Sequence, residues 1–286
     1  MRTHDFRIVA PLVALVASIA LLATSPTAHA GGRWAPVASA AIHPGTMMYT
    51  GGAQCTANFV YTDAAGRVYV GYAAHCAGTG TATDTNGCHT PSLPLGTRVR
   101  FARGGTEVST GTTVGHGRLV YSSWRTMRRL HVRSAAACAY NDLALVRVDR
   151  ADVGKVNPSV PHWGGPVALS RTGTAAGSRV YTFGNSSLRA GVSTLSPKTG
   201  VSLGDTDGGW TRTVYTATPG IPGDSGSGFL DAHGRAVGVL STIAFAPLAG
   251  ANGVGDLAHE LLFAQRHSGI AGLRLVPGTK GFTGVP

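Results

Sequence analysis

Apolar and polar residues along most of the chain alternate in short runs separated by turn-forming residues, a pattern typical of β-strands. Residues 55–61 form one such run and residues 68–72 another, with residues 62–66 as the turn between them. Further strands are predicted at 97–101, 112–121, 143–148, 167–170, 179–183, 211–217, 228–230 and 236–243. With 41 glycines and so many short runs, the chain is predicted to be an all-β barrel or sandwich.

The one helical pattern lies near the C-terminus, and no long helix is predicted before residue 255. Asp256 can cap this helix, and Leu257, Leu261 and Leu262 supply an apolar stripe. Gly269 follows as a stop. The sequence therefore predicts a C-terminal α-helix beside the β-structure.

The first 30 residues have the pattern of a secretory signal peptide, which predicts a secreted, extracellular protein. Arg2 and Arg7 provide the positive start, residues 8–24 are an apolar run, and Ala28-His29-Ala30 is a small-x-small cleavage site. A membrane anchor is the alternative, but this run and every later one fall short of the roughly 20 apolar residues that a span requires. Residues 31–50 are polar and aperiodic, which indicates an N-terminal arm or a short propeptide.

Four cysteines follow the predicted cleavage site, and an even number in an exported protein favours two disulfides with three possible pairings. Joining Cys55 to Cys76 would close a short loop next to His75, and joining Cys88 to Cys138 would close a longer one. A zinc site is the competing interpretation, but the chain has no Cys-x-x-Cys pair, so no metal is predicted.

The formal net charge is +11, although only 13% of the residues are charged. The densest basic cluster surrounds His131 and consists of Arg125, Arg128, Arg129 and Arg133. Such a cluster can attract an anionic surface such as a cell wall, or it can be a solvated loop. No nucleic-acid-binding motif accompanies it, so no specific nucleic-acid partner is predicted.

Three short motifs contain residues that together make a serine reactive. They are Tyr72-Ala73-Ala74-His75-Cys76, then Asn141-Asp142-Leu143-Ala144-Leu145-Val146, then Gly223-Asp224-Ser225-Gly226-Ser227-Gly228. A serine hydroxyl is a poor nucleophile at neutral pH unless a base accepts its proton and an acid holds that base. The chain supplies candidates for all three roles, in the order His, Asp, Ser.

These three motifs resemble those of the chymotrypsin/trypsin-like serine peptidases, and more closely the secreted bacterial members. The resemblance covers residues 51–269 and implies two six-stranded antiparallel β-barrels with a C-terminal α-helix. The first barrel would span residues 51–160 and contain His75 and Asp142, and the second would span residues 161–286 and contain Ser225. Residues 149–166 would connect them.

The resemblance also implies a role for each catalytic residue. His75 would be the general base that accepts the Ser225 proton and later protonates the leaving amine. Asp142 would hold His75 in one tautomer, and Ser225 would attack the scissile carbonyl. The N–H groups of Gly223 and Ser225 would form the oxyanion hole, since glycines on both sides allow the backbone to turn its amides inward.

In the family, the carboxylate before the nucleophile is buried and needs a cationic partner, because an unpaired buried charge is costly. Asp224 has that position here. The chain has no Arg-Ile-Val-Gly-Gly site before the first barrel, which departs from the animal enzymes. An internal arginine would serve instead, and Arg179 is the predicted partner.

By the same resemblance, Pro219 would lie at the base of the primary specificity pocket, where the absence of a carboxylate argues against Arg or Lys substrates. Ser241, Thr242 and Ile243 resemble the strand that pairs with the substrate backbone, and Ile243 would narrow the pocket. We therefore expect cleavage after small or medium apolar residues.

Two other classes of protein remain to be distinguished. An α/β-hydrolase also has a serine triad, but in the order Ser, Asp, His and with a helix after the serine, which the pattern after Ser225 does not predict. A non-catalytic chymotrypsin-like fold that acts as a binding or adhesion module is the closer rival. The sequence thus predicts a secreted, monomeric serine endopeptidase that acts on protein or peptide substrates and needs no cofactor.

Overall fold

The computed structural model describes Met1 and residues 34–81, 84–244 and 250–284, apart from the side chains of residues 243 and 244. The chain separates into two units, Met1–Gly31 and Gly32–Pro286, and all that follows concerns the second. Except for Met1, the predicted signal peptide lies outside the described residues. In the part of the chain that is described, no helix has the length and apolarity needed to cross a membrane.

The first sheet contains eight antiparallel strands in the order β14-β3-β4-β7-β6-β5-β1-β2. These strands are β1 (Met47–Thr50), β2 (Ala53–Thr56), β3 (Val60–Thr62), β4 (Val68–Ala73), β5 (Arg98–Arg103), β6 (Thr112–Ser122), β7 (Leu143–Val148) and β14 (Arg274–Leu275). The last residues of the segment predicted as an arm or propeptide thus form a strand, β1, that pairs with both β2 and β5.

The second sheet is a closed barrel of six strands in the order β10-β13-β12-β11-β8-β9. Its strands are β8 (Arg179–Phe183), β9 (Pro197–Thr206), β10 (Thr211–Thr216), β11 (Gly228–Asp231), β12 (Ala236–Ala244) and β13 (Ala251–Asp256). Residues 167–170, predicted as a strand, contribute only an isolated bridge between Leu169 and Ala236.

The prediction of an all-β fold of two antiparallel halves with a C-terminal helix is confirmed, with one difference in the first half. Instead of six strands, its sheet has eight: residues 47–148 supply seven, and β14 returns from the C-terminal end and pairs with β3 as the eighth. Residues 57–59 connect β2, at one end of the strand order, to β3, which lies beside β14 at the other end. The Ala57 N–H donates to Thr46 O and the Asn58 N–H to Gly71 O. Because β2 and β3 do not pair with each other, the two sides of the first sheet are linked here by the connecting residues.

Three α-helices lie in the described residues: α1 (Ser123–Leu130), α2 (Ala135–Tyr140) and α3 (Leu257–His267). The arginine cluster, interpreted from the sequence as a solvated loop or an anion-binding surface, mostly lies on α1. Trp124 and Met127 are buried on one face of α1, whereas Arg125, Arg128 and Arg129 are exposed. Eight residues are too few for the helical period to be evident from the sequence.

Helix α3 begins where its capping residue predicts, since the Asp256 carboxylate accepts a hydrogen bond from the His259 N–H at 2.9 Å. Leu257, Leu261 and Ala264 are buried, but Leu262 is 41% exposed and is not part of the stripe. Successive residues of a helix are 100° apart, so Leu261 and Leu262 cannot both face the same neighbour. The buried face packs in an apolar cluster that includes Leu145 of the first sheet and Val239 of the barrel.

Both disulfides have the pairing that closes one short and one longer loop. Cys55 joins Cys76 across 21 residues, and Cys88 joins Cys138 across 50. The first links β2 to the short 3-10 turn Ala74–Ala77 that follows β4. In the chain-entropy account, loops of these lengths stabilise a fold by roughly 3–4 kcal/mol each.

Candidate active site

His75 and Asp142 lie side by side because two paired strands deliver them to the same edge of the sheet. His75 follows β4 and Asp142 precedes β7, and these strands pair with Ala73 opposite Leu143. One Asp142 oxygen is 2.7 Å from His75 Nδ1, and the other accepts the His75 backbone N–H at 2.8 Å. A carboxylate accepts from Nδ1 only when that nitrogen carries the proton, so the neutral ring has Nε2 free as a base.

A third donor reaches Asp142 from the second barrel. The Ser241 hydroxyl on β12 donates to Asp142 Oδ2 at 2.5 Å, and Asp142 is 1% exposed. Ser241 was predicted from the sequence only as a residue of the substrate-pairing strand. The Ser241 side chain holds the carboxylate, a contact that depends on how the two halves meet.

The environment of His75 favours its protonated form. Burial alone would lower the pKa of His75, but the negative charge of Asp142 and its hydrogen bond outweigh that effect. The pKa of His75 is therefore raised above its ordinary value of 6.5.

Ser225 and His75 line the same cleft, which has a volume of about 330 Å³ and is also bordered by Gly223 and Trp124. Among the described residues the Ser225 hydroxyl makes no hydrogen bond, to His75 or to any other group. Catalytic hydrogen bonds of this kind are often long without substrate and tighten when substrate binds.

The turn around Ser225 requires glycine on both sides. Gly223 and Gly226 have φ of +96° and +90°, in the left-handed region that a side chain disfavours. A Cβ at Gly226 would lie 2.5 Å from Thr56 O. Thr56 is also bound to the turn directly, since its N–H donates to Ser225 O at 2.8 Å.

The backbone amides of this turn differ in whether they are already engaged. The Asp224 N–H donates to Ile221 O at 2.9 Å and the Gly226 N–H to Leu240 O at 2.7 Å. By contrast, the N–H groups of Gly223 and Ser225 donate to no acceptor among the described residues. These two N–H groups, one on each side of Asp224, are the kind of donor that stabilises an oxyanion.

Asp224 is fully buried and is held by two cations. Arg189 donates to both carboxylate oxygens at 2.5 Å, and Lys198 Nζ donates to Oδ2 at 2.7 Å. The predicted partner, Arg179, is not the one that binds: it is exposed at the start of β8. Alternation puts Arg179 on the same face of β8 as the buried Tyr181, but Arg179 is the first residue of the strand and remains exposed.

Sequence reasoning missed Arg189 and Lys198 because neither lies in a predicted element. Burial would raise the pKa of Asp224, but the hydrogen bonds from Arg189 and the charge of Lys198 outweigh it and hold the pKa below its ordinary value. The stabilisation from this pairing is therefore complete above about pH 4 and is lost as the pH falls toward the lowered pKa.

Of the predicted pocket residues, Pro219 precedes the serine turn, and Ser241, Thr242 and Ile243 lie on β12. Pro219 is exposed, and its carbonyl accepts a hydrogen bond from Lys198 Nζ at 2.9 Å. A Cβ at Gly250 would lie 3.0 Å from the Pro219 ring. Thr242 is half-buried on β12, while the Ile243 side chain and residues 245–249 lie outside the described residues.

Among the described residues, one group of three potential metal ligands has its ligand atoms within 4.8 Å of one another: Cys55, His75 and Cys76. Its two sulfurs are joined to each other in a disulfide. They are therefore not thiolates, which is the form that binds a metal.

We expect Arg189→Met to lower the free energy of unfolding by roughly 3–5 kcal/mol, because it removes one of two cations from a buried carboxylate. Arg179→Met is the matched control. Its side chain is exposed, so a change within about 0.5 kcal/mol is expected. Urea unfolding at pH 7 measures both values, and a larger loss in Arg179→Met would contradict the observed pairing.

Comparison with known proteins identifies the family and the fold. The family model described as a trypsin-like peptidase domain matches residues 73–239, and no curated protein sequence matches the chain. Among solved structures, Protease A of Thermobifida fusca is 18% identical with a TM-score of 0.50, and the alignment covers 84% of this chain and 100% of that chain.

Two further structures resemble the chain at similar identity. The Nocardiopsis protease NAPase is 19% identical with a TM-score of 0.47, over 82% of this chain and 98% of its own. The chymotrypsin of Cellulomonas bogoriensis is 18% identical with a TM-score of 0.46, over 82% and 98% respectively. Because the family model covers more than half of the 286 residues, the chain belongs to the trypsin-like peptidase family and is a serine endopeptidase of chymotrypsin-like fold.

Proposed function

We propose that the protein is a secreted serine endopeptidase that cleaves peptide bonds with Ser225 as nucleophile, His75 as general base and Asp142 as the residue that orients the base. The observation that carries this assignment is the double hydrogen bond from His75 to Asp142. It faces a cleft that also holds Ser225 and the Gly223 amide.

In the acylation half of the reaction, Ser225 Oγ attacks the scissile carbonyl while its proton passes to His75 Nε2. The carbonyl oxygen becomes an anion that accepts hydrogen bonds from the N–H groups of Gly223 and Ser225, which have no other acceptor among the described residues. The imidazolium then protonates the leaving amine, the C–N bond breaks, and an acyl-Ser225 ester remains.

In the deacylation half, a water molecule loses a proton to His75 Nε2 and attacks the ester. The C–O bond to Ser225 breaks, the serine recovers its proton from His75, and the carboxylic product leaves. Throughout, Asp142 keeps the Nδ1 proton in place and stabilises the positive charge on the ring, which its buried position strengthens.

The same site supports a preference for small or medium apolar residues before the scissile bond. Position 219, at the proposed pocket base, is a proline and therefore supplies no carboxylate to bind Arg or Lys. The nearby ammonium of Lys198 is committed to Asp224 and to the Pro219 carbonyl, with 2% of its side chain exposed. It is therefore not free to pair with an acidic substrate side chain.

Cleavage of a randomised peptide library should show Ala, Val, Leu or similar residues at the position before the cut. Mass spectrometry of the products measures this preference. A profile dominated by Arg, Lys or Glu would contradict it.

Secretion is supported by the signal-peptide pattern and by the two disulfides, which form in oxidising compartments. The exposed arginines of α1 carry no ion pair within the described residues and are suited to contact with an anionic surface. A binding module of the same fold is the rival function. It would have no need for an orienting pair and two unpaired amides facing one cleft.

Ser225→Ala should lower the release of dye from labelled casein by at least about 10³-fold, because the nucleophile is lost. It should also abolish covalent labelling by a fluorophosphonate. Ser227→Ala is the matched control: this serine lies two residues away, and its buried hydroxyl has no partner among the residues that the structure describes, so its loss should leave both activities intact. A wild-type protein that neither cleaves casein nor reacts with the fluorophosphonate would favour the binding module.

The activity should fall on acidification with an apparent pKa above 6.5. His75 acts as a base only when neutral, and Asp142 raises the pKa of His75, so the protonated, inactive form persists to a higher pH than for a free histidine. The pH dependence of kcat/KM measures this value. An acid limb below pH 6 would show that Asp142 does not stabilise the imidazolium.

A further inference from the structure

Glu260 on helix α3 forms a hydrogen bond with the backbone of Asp142, the proposed catalytic aspartate. Its Oε1 atom accepts the backbone N–H of Asp142 at 2.8 Å, although the two residues are 118 positions apart. Glu260 is completely buried. The chain contains one other glutamate, Glu107, which is exposed.

The fold leaves a space of the right size for this carboxyl group. A Cβ at Gly255 would lie 2.7 Å from Glu260 Oε1 and 2.8 Å from Tyr140 O. Any larger residue at position 255 would therefore displace the carboxyl from the Asp142 amide. The second oxygen, Oε2, is buried and has no hydrogen-bond partner in the described part of the chain.

The charges around Glu260 oppose a negative charge on it. The nearby acids are Asp142 and Asp256. Arg212 is the nearby cation, but it is already paired with Asp256 and lies 3.0 Å from an oxygen of Asp205.

Burial raises the pKa of Glu260 well above its ordinary value. The hydrogen bond from the Asp142 amide works in the opposite direction, the charges of Asp142 and Asp256 add to the rise, and Arg212 reduces it only in part. Burial and the two neighbouring carboxylates thus favour the neutral form of Glu260.

We propose that Glu260 is a positioning residue for the peptidase reaction, which as a neutral carboxyl group holds the backbone of Asp142 and thereby the orientation of His75. This inference rests on the proposed function of Asp142 and His75. It assigns to the C-terminal helix a role in catalysis that the triad motifs do not contain.

The physical basis is that every polar group of Asp142 has a hydrogen-bond partner, and Glu260 is the partner of its backbone N–H. The Asp142 carbonyl accepts the Ala74 N–H at 2.8 Å, and both carboxylate oxygens are bound to His75. Without Glu260 the Asp142 amide would be a buried donor without an acceptor, and the backbone would shift to find one. Catalytic groups tolerate displacements of only about 0.5 Å.

Glu260→Gln, Glu260→Leu and the control Glu107→Gln test this proposal in the full-length mature protein. For each variant, thermal unfolding reports folding, and a chromogenic peptide reports kcat, KM and the acid limb of kcat/KM. The rate of fluorophosphonate labelling reports the reactivity of Ser225 without a substrate-binding step.

We expect Glu260→Gln to keep kcat within about threefold of wild type, since its amide carbonyl replaces a neutral acceptor. The acid limb should stay at the same pH, because no charge is removed. Glu260→Leu should lose about 10- to 100-fold in kcat with KM unchanged, as a buried amide is left unpaired. Glu107→Gln should match wild type throughout.

A downward movement of the acid limb by about one pH unit in Glu260→Gln would show that Glu260 carries a charge, and would overturn the proposal. A tenfold loss of kcat in Glu260→Gln would also overturn the proposal. A Glu260→Leu variant that folds and keeps the wild-type kcat would do the same. If Glu260→Leu does not fold, the kcat and the acid limb of Glu260→Gln test the proposal by themselves. A wild-type protein that neither labels nor cleaves is a different result, because it overturns the function of the triad itself.

Discussion

The carboxylate of Asp142 is the point at which the two halves of the molecule are joined chemically. It accepts hydrogen bonds from His75 of the first sheet and from Ser241 of the barrel, and its backbone amide is held by Glu260 of the C-terminal helix. A buried anion without such donors would be costly. Hydrogen bonds to this one buried residue therefore link the first sheet, the barrel and helix α3.

A second buried carboxylate, Asp224, organises the serine turn in a different way. It is compensated by the full charges of Arg189 and Lys198, whereas Asp142 is compensated by neutral donors and by a histidine that would become positive in the proposed reaction. In the proposed mechanism this difference suits their tasks. A permanent cation beside Asp142 would weaken its hold on the imidazolium, while permanent cations beside Asp224 would keep the amides of Gly223 and Ser225 in a fixed orientation throughout the cycle.

Much of the candidate site could be predicted because its residues lie in local motifs. His75, Asp142 and Ser225 each have characteristic neighbours, and the two glycines at 223 and 226 are needed for positive φ in any such turn. The cationic partner of Asp224 was predicted incorrectly as Arg179. The prediction failed because the true partners come from residues 189 and 198, in an irregular segment and in a strand without clear alternation, and a buried ion pair leaves no periodic pattern.

The sequence by itself determined the β-rich character of the chain, the reactive motifs and their order, and the start of the C-terminal helix at Asp256. These are properties of neighbouring residues, since strand alternation, capping and turn formation act over a few positions. Only the tertiary structure decided that Leu261 rather than Leu262 is buried, that β14 returns to the first sheet, and that Glu260 lies behind Asp142. Each of these depends on which distant segments occupy the same space, and desolvation and charge act through space rather than along the chain.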